Sequence, residues 1–301
     1  KWIFSDEGVF ATGEYYILSS VTGGIFARHQ GSDYGLNEGF RQVKWIVVNP
    51  SDQITPDPNR NSYTCAEAAL HIQSDTTNGS FIFTDLSGNN TVIPSSVSVD
   101  GLTRTPSHTT DQPYLGATSI DFTDNGTRLE VGDLATKANF QFLHDRTSIY
   151  TIEGWMYRND DSNSSDTIFS NAAFTVDVGI RVRFASGDKL GFTICRGSTS
   201  KSFEATTANA IPKNVWVHYA ICWDGENITC YINGSSSAGF TQPWTNPVST
   251  SEPSQILWIG ARDASSGQDR FDGYMQDIRI SKKVIYSGDF TPPTSLLGNP
   301  C

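Results

Sequence analysis

The chain is short of positive charge. Lys and Arg number 21 against 32 Asp and Glu, a formal net charge of -11 over 301 residues. Such a surface repels phosphate backbones and anionic lipid, which argues against nucleic acid as a partner and against direct membrane insertion. Long apolar runs are missing too. Trp45-Ile46-Val47-Val48 is halted by Asn49-Pro50, well under the roughly 20 residues that span a bilayer. No signal-peptide pattern opens the chain, and it starts at Lys1 without an initiator Met, so it reads as a processed product or a fragment of something longer.

Cysteine is sparse and odd in number. Cys65, Cys195, Cys222, Cys230 and Cys301 share no regular spacing, so no disulfide framework is expected. Cys222 and Cys230 flank the turn Asp224-Gly225-Glu226-Asn227. A four-residue loop there pairs Ile221 with Cys230 and leaves the two sulfurs on opposite faces, so buried free thiols are expected.

Reactive constellations are absent as well. His29, His71, His108, His144 and His218 are scattered, with no H-x-x-x-H or H-E-x-x-H spacing for zinc. There is no G-x-S-x-G elbow and no phosphate-binding glycine loop. Glycosidases need two carboxylates about 5 to 10 Å apart, and no E-x-D-x-E or E-x-D-x-x-E run supplies them. Glu153 is the sole carboxylate of the expected strand 149–157. An enzyme would have to assemble its site from distant loops, and a protein without catalysis is expected.

What the chain does hold is turn chemistry and short β-type runs. With 26 Gly, 12% aromatic residues and 37% hydrophobic residues, it has both a core and many turns, which favours an all-β protein. Strands are expected at 80–84, 118–122, 149–157, 179–184, 190–195, 215–223, 228–233, 255–260 and 274–280. Their spacing of about ten residues suits a β-sandwich. In 215–223 both alternating sets are largely apolar, which predicts a central strand covered on both sides. Asp224-Gly225 and Asn233-Gly234 then make two tight turns, and hence an antiparallel meander. Trp155, Trp216 and Trp258 lie inside apolar strands and read as core anchors. Sequons at Asn78, Asn89, Asn125, Asn163, Asn227 and Asn233 read as ordinary turn chemistry in an Asn- and Ser-rich chain.

Residues 1–65 differ in texture, with Tyr15-Tyr16, Gly23-Gly24 and a strand candidate at 42–48. A proline-rich linker at 49–60 follows and sets the domain boundary, with the sandwich at 66–301. The N-terminal piece carries Trp2, Phe4, Phe10, Tyr15, Tyr16, Phe26, Tyr34, Phe40 and Trp45. That is more aromatic surface than so short a segment covers alone, so it reads as a docking or assembly segment.

Several motifs in order carry a family resemblance. Leu70 to Gly88, with the turn Asp85-Leu86-Ser87-Gly88-Asn89, resembles the opening of laminin-G-like, concanavalin A-like sandwiches. Ala117 to Leu129, Tyr150-Thr151-Ile152-Glu153-Gly154-Trp155-Met156, Trp216-Val217-His218-Tyr219-Ala220, Tyr231-Ile232-Asn233-Gly234 and Ile259-Gly260 are similar to the landmarks that follow. Phe271 to Lys282 resembles the closing strand. The tail Tyr286-Ser287-Gly288-Asp289-Phe290-Thr291-Pro292-Pro293-Thr294 resembles one found in modules of marine bacteriophage virion proteins.

The resemblance implies an antiparallel concanavalin A-like jelly-roll β-sandwich with a small N-terminal extension. It makes Glu153 structural, Gly273 a close-approach or bulge position, and Asp277 with Arg279 an ion pair or turn brace. It further implies a virion surface protein, a tail-fibre or appendage subunit or a capsid decoration, whose partners are other virion proteins or copies of itself and whose ligand is a host-surface glycan. The rivals are a secreted or cell-surface, extracellular carbohydrate- or protein-binding laminin-G module, and a glycoside hydrolase or lyase on the same fold; fold by itself does not choose among them. Rigid sandwiches carry function on loops. The ligand-binding candidates are therefore Asn159, Asp160 and Asp161 in one loop and Arg262, Asp263, Gln268, Asp269 and Arg270 in another, with Gly197 to Ser200 a third exposed loop. Related laminin-G and pentraxin modules bind calcium through loop carboxylates, which makes Asp263, Asp269 and Asp272 calcium candidates. Arg262 and Arg270 beside them favour a solvated charged loop instead, and no cofactor is required.

Overall fold

The computed structural model describes residues 14–19, 25–30, 65–99, 102–123, 127–159, 165–263 and 269–297. The chain divides into two compact units, Lys1–Pro56 and Asp57–Cys301. In the first, β1 (Glu14–Ser19) and β2 (Ile25–Gln30) pair antiparallel from Glu14↔Gln30 to Ser19↔Ile25. The strand expected at 42–48 and the linker at 49–60 lie outside the described residues.

The second unit is nearly all β. Its first strands are β3 (Ala68–Ile72), β4 (Val92–Ser95), β5 (Val97–Val99), β6 (Leu102–Arg104), β7 (Ser107–Thr109), β8 (Ser119–Asp121) and β9 (Arg128–Val131). After a short helix, α1 (Phe142–Asp145), come β10 (Tyr150–Arg158), β11 (Thr167–Ser170), β12 (Val178–Ala185), β13 (Lys189–Arg196) and β14 (Phe203–Thr206). The last are β15 (Trp216–Trp223), β16 (Asn227–Ile232), β17 (Ser235–Ser236), β18 (Gln242–Pro243), β19 (Leu257–Ile259) and β20 (Gly273–Ser281).

Two antiparallel sheets form a sandwich of the concanavalin A-like jelly-roll kind. The first runs β17-β16-β15-β10-β20-β8-β7, with β3 also on β20 and β18 on β16. The second runs β14-β13-β12-β11-β19-β9-β4. Alternation along each strand explains the layering. Ile152 and Met156 of β10 and Val217, Tyr219 and Ile221 of β15 share a buried core with Ile180, Val182 and Phe184 of β12 and Leu190, Phe192 and Ile194 of β13. Each such side chain contributes about 1.5–3 kcal/mol by leaving water.

Turn chemistry sets the register of the meander. The Asp224 carboxylate accepts the N–H groups of Glu226 and Asn227, and Ile221 pairs with Cys230. Asn233 and Gly234 then take φ of 49° and 80°, the left-handed pair a tight hairpin needs. Cys195, Cys222 and Cys230 are free and buried.

One expected strand is absent. Residues 80–84 form no strand, and Phe81 and Ile82 stand in solvent. The segment begins a ladder, with His108 N–H donating to the Ser80 carbonyl, but its next partner is the His108 ring Nε2, 2.9 Å from the Ile82 carbonyl. An imidazole in place of a backbone group ends the ladder, and Phe83 stacks on the same ring at 4.3 Å.

A bulge organises β20. Glu153 pairs with Arg279 and Trp155 with Gln276, so Gly154 faces two residues, Asp277 and Ile278. Asp277 takes φ of 54°. The extra residue reverses the alternation, so Tyr274 faces outward before the bulge and Arg279 after it. Gly273 is also dictated by geometry. A Cβ there would sit 1.9 Å from the Tyr157 carbonyl oxygen, at φ of 145°.

Candidate functional site

The outer face of the first sheet is built in rows across β15, β10 and β20, because directly paired residues point the same way. The rows are Cys222, Thr151 and Ser281; Ala220, Glu153 and Arg279; His218, Trp155 and Gln276; and Trp216, Tyr157 and Tyr274. The chain after β20 folds back over part of this face. Ile285, Tyr286 and Phe290 pack on Ala220, Cys222 and Tyr231, with Tyr286 and Phe290 stacked.

Beneath that tail lies a sealed polar cluster. Arg279 Nε donates to Glu153 Oε1 at 2.8 Å, and Tyr286 Oη donates to Glu153 Oε2 at 2.6 Å. His218 Nε2 lies 3.5 Å from the same Oε2. Burial would push the Glu153 carboxyl up, but Arg279, His218 and Tyr286 together hold it well below the usual carboxylate range. Asp277 does not pair with Arg279. Its carboxylate bonds His71 Nε2 at 2.9 Å and accepts from Gln73 Nε2 at 3.0 Å and from the N–H of Leu297 at 2.7 Å, so it braces β3 and the tail. Glu153 and Asp277 are both buried and held within these hydrogen bonds.

The last row is open. Trp216, Tyr157 and Tyr274 are half-buried, and Tyr157 is paired directly with both others. Ring centroids are 5.8 Å apart on each side of Tyr157. The row continues to Asp121, which pairs with Tyr274, and then to Ser107. Tyr114, from the loop between β7 and β8, lies over the other end, stacked on Trp216 at 5.2 Å and tilted against Trp155 at 4.6 Å. Tyr114 as a residue is 43% exposed. Burial first, then Asp121, Asp111 and Asp272, push the Tyr274 hydroxyl up to about 12. It therefore stays a protonated donor at any physiological pH.

Of the loop residues expected to bind ligand, Asp160, Asp161 and Gln268 lie outside the described residues. Asn159 and Asp272 adjoin the open row. Asn159 Nδ2 donates to Asp272 Oδ1 at 2.9 Å, which ties the end of β10 to the start of β20. Arg262, Asp263, Asp269 and Arg270 are elsewhere, at the second sheet. Arg262 donates to Asp263 at 3.0 Å and to Asp269 at 2.5 Å while its guanidinium lies 4.9 Å from the Phe174 ring. Arg270 is buried and bridges to Thr167 of β11. The three calcium candidates are thus engaged by Arg262 or Asn159, and among the described residues no group of three or more His, Cys, Asp or Glu is placed to hold a metal.

The family model of the concanavalin A-like lectin/glucanases superfamily, of laminin-G type, matches residues 130–288. The chain belongs to this superfamily. Among solved structures, domain 4 of an extracellular arabinanase from Geobacillus stearothermophilus, in complex with arabinotriose, is 17% identical at a TM-score of 0.50, over 72% of this chain and 92% of that one. The binding domain of botulinum neurotoxin serotype D is 14% identical at 0.48, over 73% of this chain and 49% of that one. A sialidase carbohydrate-binding module from Ruminococcus gnavus is 12% identical at 0.40, over 52% and 86%. At these identities the likeness is one of fold. No curated protein sequence matches the chain significantly.

Within this lectin-type sandwich, two of the three expected anchors, Trp155 and Trp258, are buried, and Trp216 is half-buried. Trp155, Trp216 and Trp258 are outside the core between the sheets. Trp155 and Trp216 stand on the outer face of the first sheet, and Trp258 on the outer face of the second, under Arg128 at 4.7 Å. The open row was missed because apolar alternation cannot distinguish a face covered by a tail from one left bare. The usable signal was the pair Trp155 and Tyr157, two aromatics on the same side of one strand, opposite a third at Trp216.

Proposed function

We propose that this superfamily member is a non-catalytic saccharide-binding module displayed on the surface of a virion, together with copies of itself or other virion proteins. The aromatic row carries the saccharide reading. Three rings in one rung, ending in a carboxylate, offer an apolar face for the C–H side of a pyranose and polar atoms at its edge for hydroxyls. The non-catalytic reading is supported by Glu153, the only carboxylate on β10, which is fully buried beneath Tyr286. It has no path to a scissile bond. The virion reading is supported by the resemblance of 286–294 to virion modules, and the buried free Cys195, Cys222 and Cys230 favour it over a secreted module.

Single sites of this kind bind weakly, and display in many copies supplies avidity. A glycan array probed with the assembled protein is expected to give saccharide signals, and a blank array overturns the saccharide reading. Mass spectrometry of purified particles from the source is expected to find the chain. Its absence overturns the virion reading without touching the first.

A further inference from the structure

We infer that the open row takes an uncharged, elongated saccharide lying across the strands, and that it discriminates against glycans bearing carboxylate or sulfate groups. The inference rests on the saccharide reading above and adds orientation and chemical class. Orientation follows from register. Trp216, Tyr157 and Tyr274 occupy three adjacent strands in one rung, so their rings repeat at 5.8 Å along a line that crosses the strands. Tyr114 closes the Trp216 end, and Asp121 with Ser107 continues the line at the other. A ligand chain running along the strands would instead meet Trp155, which is 6% exposed beneath Tyr114, and then the tail-covered rows.

Chemical class follows from the groups around that line. Asp121 is in the rung itself, Asp272 stands two residues before Tyr274, and exposed Asp111 shares the loop that carries Tyr114. Asp121 Oδ1 is held by the N–H and hydroxyl of Thr123 at 2.8 and 2.7 Å, which leaves acceptor capacity on the carboxylate for ligand hydroxyls. The Tyr274 hydroxyl supplies a donor. Three carboxylates, Asp121, Asp111 and Asp272, act on Tyr274. Neutral hydroxyls satisfy these acceptors, whereas an acidic substituent meets the like charge of Asp121, Asp111 and Asp272, a repulsive element of the kind that sets specificity.

The test is an array of neutral and acidic oligosaccharides, followed by calorimetry on its hits, using the full chain, Trp216→Ala, Tyr114→Ala and Asp111→Asn. Neutral glycans are expected to dominate, with binding weakened roughly tenfold or more by Trp216→Ala and by the loop variant Tyr114→Ala, which does not depend on a strand position. Acidic analogues of a neutral hit are expected to bind roughly tenfold more weakly at low salt, the gap narrowing in high salt and in Asp111→Asn. Dominance of acidic glycans, or binding that both aromatic variants leave unchanged, overturns this inference while the saccharide reading stands. No binding of either class overturns both.

Discussion

Glu153 shows what one residue can commit. A carboxylate buried beneath the tail is costly unless it is paired, and here Arg279 and Tyr286 bond it and His218 faces it. Arg279→Leu strands the charge, and equilibrium denaturation is expected to show a loss of about 3–5 kcal/mol. The same residue contributes to acid sensitivity. Its folded pKa is depressed, so its contribution is full above the unfolded value of about 4.3 and is lost as pH falls below that. His108 and His144 act earlier. Burial lowers both, so the folded state takes up protons less readily than the unfolded one, and stability declines once pH falls below about 6.5. Thermal melting is expected to be flat from about pH 7 to 8, to fall below about pH 6.5 and more steeply below about 4.5, and to fall again above about 8.5 as the unfolded thiols ionise; a melting point that rises between pH 7 and 5 contradicts this assignment. Burial also pushes the Cys195 and Cys222 thiols up to about 11 and about 12. Native alkylation is expected to spare Cys195, Cys222 and Cys230, and denaturation to release all three, with no internal bridge in the intact mass.

At the scale of the element, the tail after β20 is a structural part of the sandwich. Ile285, Tyr286 and Phe290 cover Ala220, Cys222 and Tyr231, and the Phe290 carbonyl sits so close to Gly234 that a Cβ there would lie 1.9 Å from it. At about 1.5–3 kcal/mol for each buried side chain, deleting 284–301 is expected to remove several kcal/mol and to raise binding of an apolar dye. An unchanged denaturation midpoint would show that the tail is dispensable. Nothing in the residues of this tail says which face it covers. The strand 215–223 illustrates the same limit. Its two apolar sets correctly predict a central strand, but the cover on the outer side stops short of Trp216, which remains half-buried in the open row.

At the scale of the whole molecule, the first unit is rich in aromatic residues. Sedimentation of the full chain is expected to show concentration-dependent association that removal of residues 1–49 abolishes. A monodisperse monomer whose N-terminal segment resists protease contradicts it. If copies assemble, the open rows repeat on one particle, and weak single-site affinities multiply.

The sequence by itself determined that this chain is an antiparallel sandwich of the laminin-G kind, because alternation, turn dipeptides and motif order are local and survive in one dimension. It also determined the Cys222 and Cys230 geometry, since a four-residue turn dictates the register that follows. Only the tertiary structure decided where a ligand can lie. The bulge at Asp277 reverses the facing of β20, so that Tyr274 joins Tyr157 and Trp216 while Arg279 joins Glu153. Three residues far apart in the chain become one rung through strand pairing, and the tail decides which rungs stay open. Pairing register and coverage are properties of contacts between distant segments, which no local pattern records.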